Sequence, residues 1–341
     1  MENNETELIS PEVSETESLV TETSEVTDSS VKEAEQNEIK PHLPNGKIRL
    51  FIGAALILFV LVAISALTSA VYLLPATDPF VRNVTTVVPY PIAVVNAEPI
   101  SFKDFYVEWD AMQNYLKSQT DTSALPPAAE MQSSIIDAMT ERTAIRQLAK
   151  QYGITLDQSK VDQMTESTLS QYGSEQEAAD AIQKTFGWDK QLFVDRVIKP
   201  VVLSSQLEEA IYADNILQTA AKTKIDSALQ RLKNGDDFAA VAKEVSEDSS
   251  AANGGDIGSL TADVVPPEWV EAVASLGLNK FSEVIDLGSA YSISMASEQT
   301  ESEDSGTQFN FHIIIVNKQS LDSVLQAFET SSKVWKFFKA S

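Results

Sequence analysis

The chain has 341 residues, with 50 Asp and Glu against 25 Lys and Arg, a formal charge of −25 and no cysteine. Absence of cysteine excludes a disulfide framework, a thiolate-ligated metal and a thiol nucleophile, and so acidic a balance offers no phosphate-neutralising surface for nucleic acid. The two histidines, His42 and His312, are too few for a histidine-rich metal site, so neither metal nor cofactor is expected.

Residues 1–46 hold twelve acidic residues, two lysines and almost no clustered apolar side chains. Too little surface can be buried there to offset chain ordering, and a disordered acidic tail is expected. From Leu50 to Thr77 no residue is charged. That run exceeds the roughly 20 helical residues needed to cross a bilayer core of about 30 Å, so residues 47–75 read as a transmembrane helix that meets lipid through residues 50–74. Lys40, Lys47 and Arg49 precede it, which puts the N-terminus in the cytoplasm and the later domains outside. A cleaved signal peptide is the competing reading, with Thr68-Ser69-Ala70 as its small-residue site; the long polar segment in front and the length of the apolar run favour a retained anchor. The proline-rich residues 76–91 read as an extended linker.

Ile92 to Ile100 reads as a short strand and a turn. Ser101 is then an N-cap residue type, placed to start a helix whose Phe105, Trp109, Met112 and Leu116 recur at helical spacing. Met131 to Tyr152, stopped by Gly153, and then Ser174 to Thr185 and Lys190 to Lys199 are further helices. Three stretches, Val94-Val95-Asn96-Ala97-Glu98-Pro99-Ile100, Ile145 to Ile154 and Phe193 to Ile198, resemble in order the N-terminal region of the SurA and PrsA type of extracytoplasmic foldases. The resemblance implies a helical chaperone domain over residues 92–208, with unfolded or proline-containing exported polypeptides as partners. The aromatic and Met residues of 102–115 have two readings, core packing or the lining of an adaptable client groove.

The most specific stretch is Leu229 to Gly258. Leu232, Gly235, Phe238, Ala242, Ser246, Asp248, Gly254, Gly255, Asp256 and Gly258 fall on the pattern of the parvulin (PpiC, rotamase) peptidyl-prolyl isomerases, which the segment resembles. What the resemblance implies is an α+β chain: a transmembrane helix, the SurA-like helical domain and a parvulin-like module over residues 209–318. It also implies isomerisation of X-Pro bonds, with Asp248 at a catalytic position and Val265, Trp269 and Leu260 receiving the substrate proline. Two departures matter. Ser292 stands where the family has a catalytic histidine, and Asn215-Ile216-Leu217 stands where its opening strand carries the other.

The run Leu203 to Lys233 lacks Gly and Pro, so Asn215 lies either on that opening strand or within one long helix. Phe309 to Val316, a β-branched and aromatic run, reads as a buried strand. It resembles the missing opening strand in the wrong place, and a circular permutation would return His312 to the catalytic set of Asp248, His312 and Ser292. Glu298 to Thr307 reads as an acidic loop. Residues 319–341 read as an amphipathic helix, with Lys333, Lys336 and Lys339 near its end, packing on the chaperone domain or, alternatively, on a membrane surface. Two functions stay open, an extracytoplasmic isomerase and a holdase that uses the parvulin fold as scaffold.

Overall fold

A computed structural model of the chain describes residues 46–119, 125–302 and 306–340, and the acidic tail lies outside the described residues apart from Gly46. The chain divides into two compact units, Met1–Phe59 and Val60–Ser341. Helix α1 (Gly46–Leu73) contains Leu50–Leu73, among the described residues the one helix long and apolar enough to cross a membrane. Its last turn belongs to a protein core, with Val71 only 1% exposed among Ile92, Phe102 and Phe105.

The expected linker is instead a helix, α2 (Pro79–Val87). Asp78 caps it by accepting from the Phe80 amide at 2.8 Å, and Pro79 occupies the first turn, where its missing N–H is no loss. Val81 and Thr85, four apart, are buried. The prolines read as spacer therefore mark a helix start. Strands β1 (Pro91–Val95) and β2 (Glu98–Ser101) pair antiparallel around Asn96 and Ala97, whose φ values of 49° and 74° make the tight turn. Ser101 then caps α3 (Phe102–Ser118), accepting from the Asp104 amide at 3.1 Å.

Four more helices follow: α4 (Ala128–Gln151), α5 (Gln158–Leu169), α6 (Glu175–Phe186) and α7 (Lys190–Phe193). The last continues through a π-helical turn, Val194–Ile198, into α8 (Lys199–Ala213). Pro200 has no amide to return to the preceding turn, and the widened turn lies just before it. Neither reading of Leu203 to Lys233 holds. Helix α8 stops at Ala213, the Asp214 carboxylate accepts from the amides of Ile216 and Leu217 at 3.0 and 3.1 Å, and α9 begins afresh at Thr219 and runs to Lys233. Asn215 thus lies on a turn, because a local carboxylate competes with the helix for backbone donors.

After α10 (Phe238–Val245) and a 3₁₀ turn, Ser249–Asn253, come β3 (Asp256–Thr261), α11 (Pro267–Leu276), β4 (Ile285–Asp286), β5 (Ala290–Ser302) and β6 (Gly306–Asn317). The strands form one antiparallel sheet in the order β3-β6-β5-β4. The stretch expected as an acidic loop is paired strand from Glu298↔Asn310 to Ser302↔Gly306, and its residues 303–305 lie outside the described residues. Backbone pairing continues there although the side chains are polar, because each strand supplies the other's hydrogen-bond partners.

The two sheet faces bury different helices. Ile293, Ile314 and Val316 pack with Ile225, Leu229, Phe238 and Val241 of α9 and α10, while Ala296, Phe311 and Ile313 pack with Trp269 and Val273 of α11. Helix α12 (Leu321–Ser331) returns to the helical domain, where Leu325 meets Ala144, Leu148 and Leu207. The helix expected over residues 319–341 ends there. Residues Val334–Lys336 form β7, paired with β1 from Ala93↔Lys336 to Val95↔Val334. The free edge of β1 supplies a ladder that overrides the local helical pattern, so Lys333, Lys336 and Lys339 do not serve a helix end.

Candidate functional site

Gly254 and Gly255 have φ of 72° and 80°, and a Cβ at Gly255 would collide with the Ile313 carbonyl. Two glycines therefore let the loop lie flat along β6, where the Gly255 carbonyl accepts from the Ile313 amide at 2.8 Å. The same loop caps the edge of β6 further on. Ser246 Oγ accepts from the Ile315 amide at 3.0 Å, and the Glu247 carboxylate accepts from the Asn317 amide at 2.8 Å.

Asp248 opens the 3₁₀ turn, its carboxylate accepting from the Ser250 amide at 2.8 Å. The Ser250 hydroxyl and amide, with the Ser249 amide, hold this carboxyl below its usual range. His312 stands in register with Met295 and Asp256, its Nε2 3.0 Å from Ser297 Oγ and its ring edge-on to Phe238 at 6.4 Å. It thus shares the α9/α10 face with Ile314, two residues on. Ser292 is in register with Ile315 and lies on the other face, fully buried. The structure does not bring His312 and Ser292 together.

Val265, Trp269 and Leu260, the three expected substrate contacts, do gather on the α11 face, on the side of Ser292. They form no open cradle. Trp269 is 6% exposed, its ring 6.0 Å from that of Phe311, and Phe309 stands 5.9 Å from Phe311. Trp269 Nε1, Ser292 Oγ and Ser294 Oγ are buried there with no hydrogen-bond partner among the described residues. Groups of this kind are rare in folded interiors and mark the face as polar beneath its apolar cover. Among the described residues no group of three or more His, Asp or Glu is placed to hold a metal ion.

An open cleft lies elsewhere, in the helical domain, and sequence reasoning missed it. A cleft of about 970 Å³ runs between α4 and the α7–α8 region, with Ile100, Met139, Ile145, Leu156, Leu192 and Leu203 among its apolar walls. Charged pairs frame it. Arg142 donates to Glu108 at 2.9 Å and to the Arg196 carbonyl at 3.3 Å, and Arg196 reaches Asp104 at 2.6 Å. Burial alone would raise the Asp104 carboxyl, but the Ser101 hydroxyl and the Arg196 guanidinium outweigh it and hold the group below its usual range. A sequence signal existed: Arg142, Arg146 and Lys150 recur every four residues on one helix face.

Residues 205–300 match the PPIC-type PPIASE domain family, and residues 47–216 match the SurA-like N-terminal domain family. The Foldase protein PrsA of Halalkalibacterium halodurans is 28% identical over 196 residues, which cover 50% of this chain and 58% of the relative. The Chaperone SurA of Albidiferax ferrireducens is 24% identical over 271 residues, covering 67% of this chain and 58% of the relative. The chain thus spans little more than half the length of these two relatives. Among solved structures, the crystal structure of PrsA from Bacillus subtilis is similar over 72% of this chain and 84% of its own, at 16% identity and a TM-score of 0.18.

Proposed function

We infer function from descent: the chain belongs to the SurA/PrsA-like parvulin foldases, a SurA-like N-terminal domain joined to a PPIC-type PPIase domain. We propose that it is an extracytoplasmic folding factor held in the membrane by α1, with the N-terminus in the cytoplasm, and that it binds unfolded exported polypeptides. The observation that carries this reading is the cleft of about 970 Å³ in the helical domain. Its apolar walls suit side chains that an unfolded segment exposes, and its framed polar groups suit the backbone beside them. The test uses the full chain in nanodiscs with a chemically unfolded, aggregation-prone client. Leu192→Asp combined with Leu203→Asp should abolish suppression of client aggregation; undiminished suppression by the double variant overturns the cleft as the client site.

The isomerase reading assigns Asp248, His312 and Ser292 to catalysis and Val265, Trp269 and Leu260 to proline binding. Under it, β6 replaces the opening strand of the parvulin sheet by circular permutation. Support comes from its place between β3 and β5 and from the family match ending at residue 300, before β6 starts. Rotation about an X-Pro bond faces a barrier of about 18–20 kcal/mol, which a site lowers by favouring the twisted amide. Two observations favour a second reading, a holdase with the module as scaffold: His312 and Ser292 lie on opposite faces, and Trp269 covers Phe311. A protease-coupled proline-peptide assay separates the two. A rate above the uncatalysed one that is lost in His312→Ala or Asp248→Ala selects the isomerase; no such rate selects the holdase.

A further inference from the structure

We propose that the folded domain sits directly on the bilayer, with α2 and the β7 segment sunk into the outer boundary between acyl chains and headgroups. This rests on the reading of α1 as a membrane span.

Length comes first. Leu50–Leu73 has 24 residues; at 1.5 Å each they reach about 36 Å, whereas the hydrocarbon core takes about 30 Å. The surplus of about four residues falls where the domain has already begun. Thr68 Oγ1 is 3.0 Å from the Tyr90 hydroxyl, and the Tyr72 hydroxyl donates to the Pro91 carbonyl at 3.1 Å. The Tyr72 ring stands 5.9 Å from both Tyr90 and Phe337. Just beyond the helix, the Ala76 amide donates to the Lys339 carbonyl at 2.9 Å. No free segment separates the span from the core, so a span that fills the bilayer holds the domain at headgroup level.

The surface around that junction is apolar. Phe80, Val84 and Val87 recur at helical spacing on α2, beside the buried stripe of Val81 and Thr85. Val87 is 83% exposed and Trp335 58%, and Leu73, Leu74, Phe80 and Val88 are also exposed. Trp335 contacts Phe337, which contacts Tyr72, so the exposed indole is linked to the end of the span through one ring. Trp and Tyr at the end of an apolar helix, with the exposed Lys339 beside Pro75, are the residue types that settle at a membrane–water boundary. Water leaves this face unexplained, whereas a bilayer surface continuous with the span covers it.

The chain has no cysteine, so single substitutions carry a unique nitroxide label. V87C, with W335C as a second reporter, is compared in nanodiscs with L61C inside the span and Y172C on the domain surface. Electron paramagnetic resonance then reads access to oxygen, which enters lipid, and to a nickel chelate, which stays in water. Val87 is exposed enough that V87C removes no packing. The expected result is loss of nickel access at Val87 and Trp335, as at Leu61, with full access at Tyr172. Nickel access at Val87 equal to that at Tyr172, with Leu61 protected, overturns the docking and leaves the span intact. Nickel access at Leu61 itself overturns the span reading and the docking with it.

Discussion

The helical domain and the sheet module treat their apolar surfaces in opposite ways. In the first, α4 and α8 pack through Ala144, Leu148 and Leu207 yet leave beside that contact a cleft of about 970 Å³; in the second, α11 lies on the sheet with the Trp269 ring 6.0 Å from that of Phe311. The difference follows from what lies between the elements. Arg142, Arg196, Glu108 and Asp104 satisfy one another across the cleft's frame, and closing the walls over them would strip water from charges at a cost apolar contact does not return. Between α11 and the sheet, Val265, Trp269, Val273, Phe311 and Ile313 form one buried apolar cluster. Charged pairs thus border the cleft, whereas side-chain packing closes the module's face.

The largest expected effect attacks the closed region. Gly255→Val drives a side chain into the Ile313 carbonyl at a left-handed position and should cost about 3 kcal/mol or more. Circular dichroism melting should lose the module's transition while that of the helical domain persists; loss of both would show that the two regions fold as one unit and break the comparison. Trp269→Ala should cost about 3 kcal/mol, the ordinary loss for an emptied aromatic core site, read by denaturant unfolding. It should gain no isomerase rate, and a gained rate would sharpen the comparison by showing that the face is a covered proline site.

The smallest effect concerns Asp248. Asp248→Ala should cost about 1 kcal/mol at neutral pH through the lost cap. Because the folded-state carboxyl titrates below its unfolded value of about 3.9, its contribution is complete above that value. The gap between wild type and variant should shrink as the pH falls below about 4 and on through the depressed pKa. A gap that stayed constant with pH would separate the cap from its charge.

What was legible in the sequence was what local chemistry decides. Ser101 reads as a cap and is one, and Phe309 to Val316 reads as a buried strand and lies in the middle of a sheet. Local signals misled where they were ambiguous or outvoted from afar. Pro79 belongs equally to a spacer and to a first helical turn, and only the Asp78 cap with burial of Val81 decides between them. Val334 to Lys336 continues a helical stripe on paper, but the free edge of β1, some 240 positions earlier in sequence, claims it as a strand. In the site, Val265, Trp269 and Leu260 were legible as neighbours through family resemblance. That Trp269 fills the space instead of lining it is a matter of volume, which spacing does not carry. The cleft went unread because its walls come from α4 and the α7–α8 region, whose approach is set in three dimensions.

The pairing of both sheets has a consequence for how the chain is made. In the helical domain β1 waits for residues 334–336, and in the module β3 and β5 wait for β6 at residues 306–317. During synthesis, N-terminus first, neither sheet can close until more than 300 residues have emerged, so strand edges stay bare while most of the polypeptide is already made. The chain is by this construction a late folder, its two sheets sealed by its last forty residues.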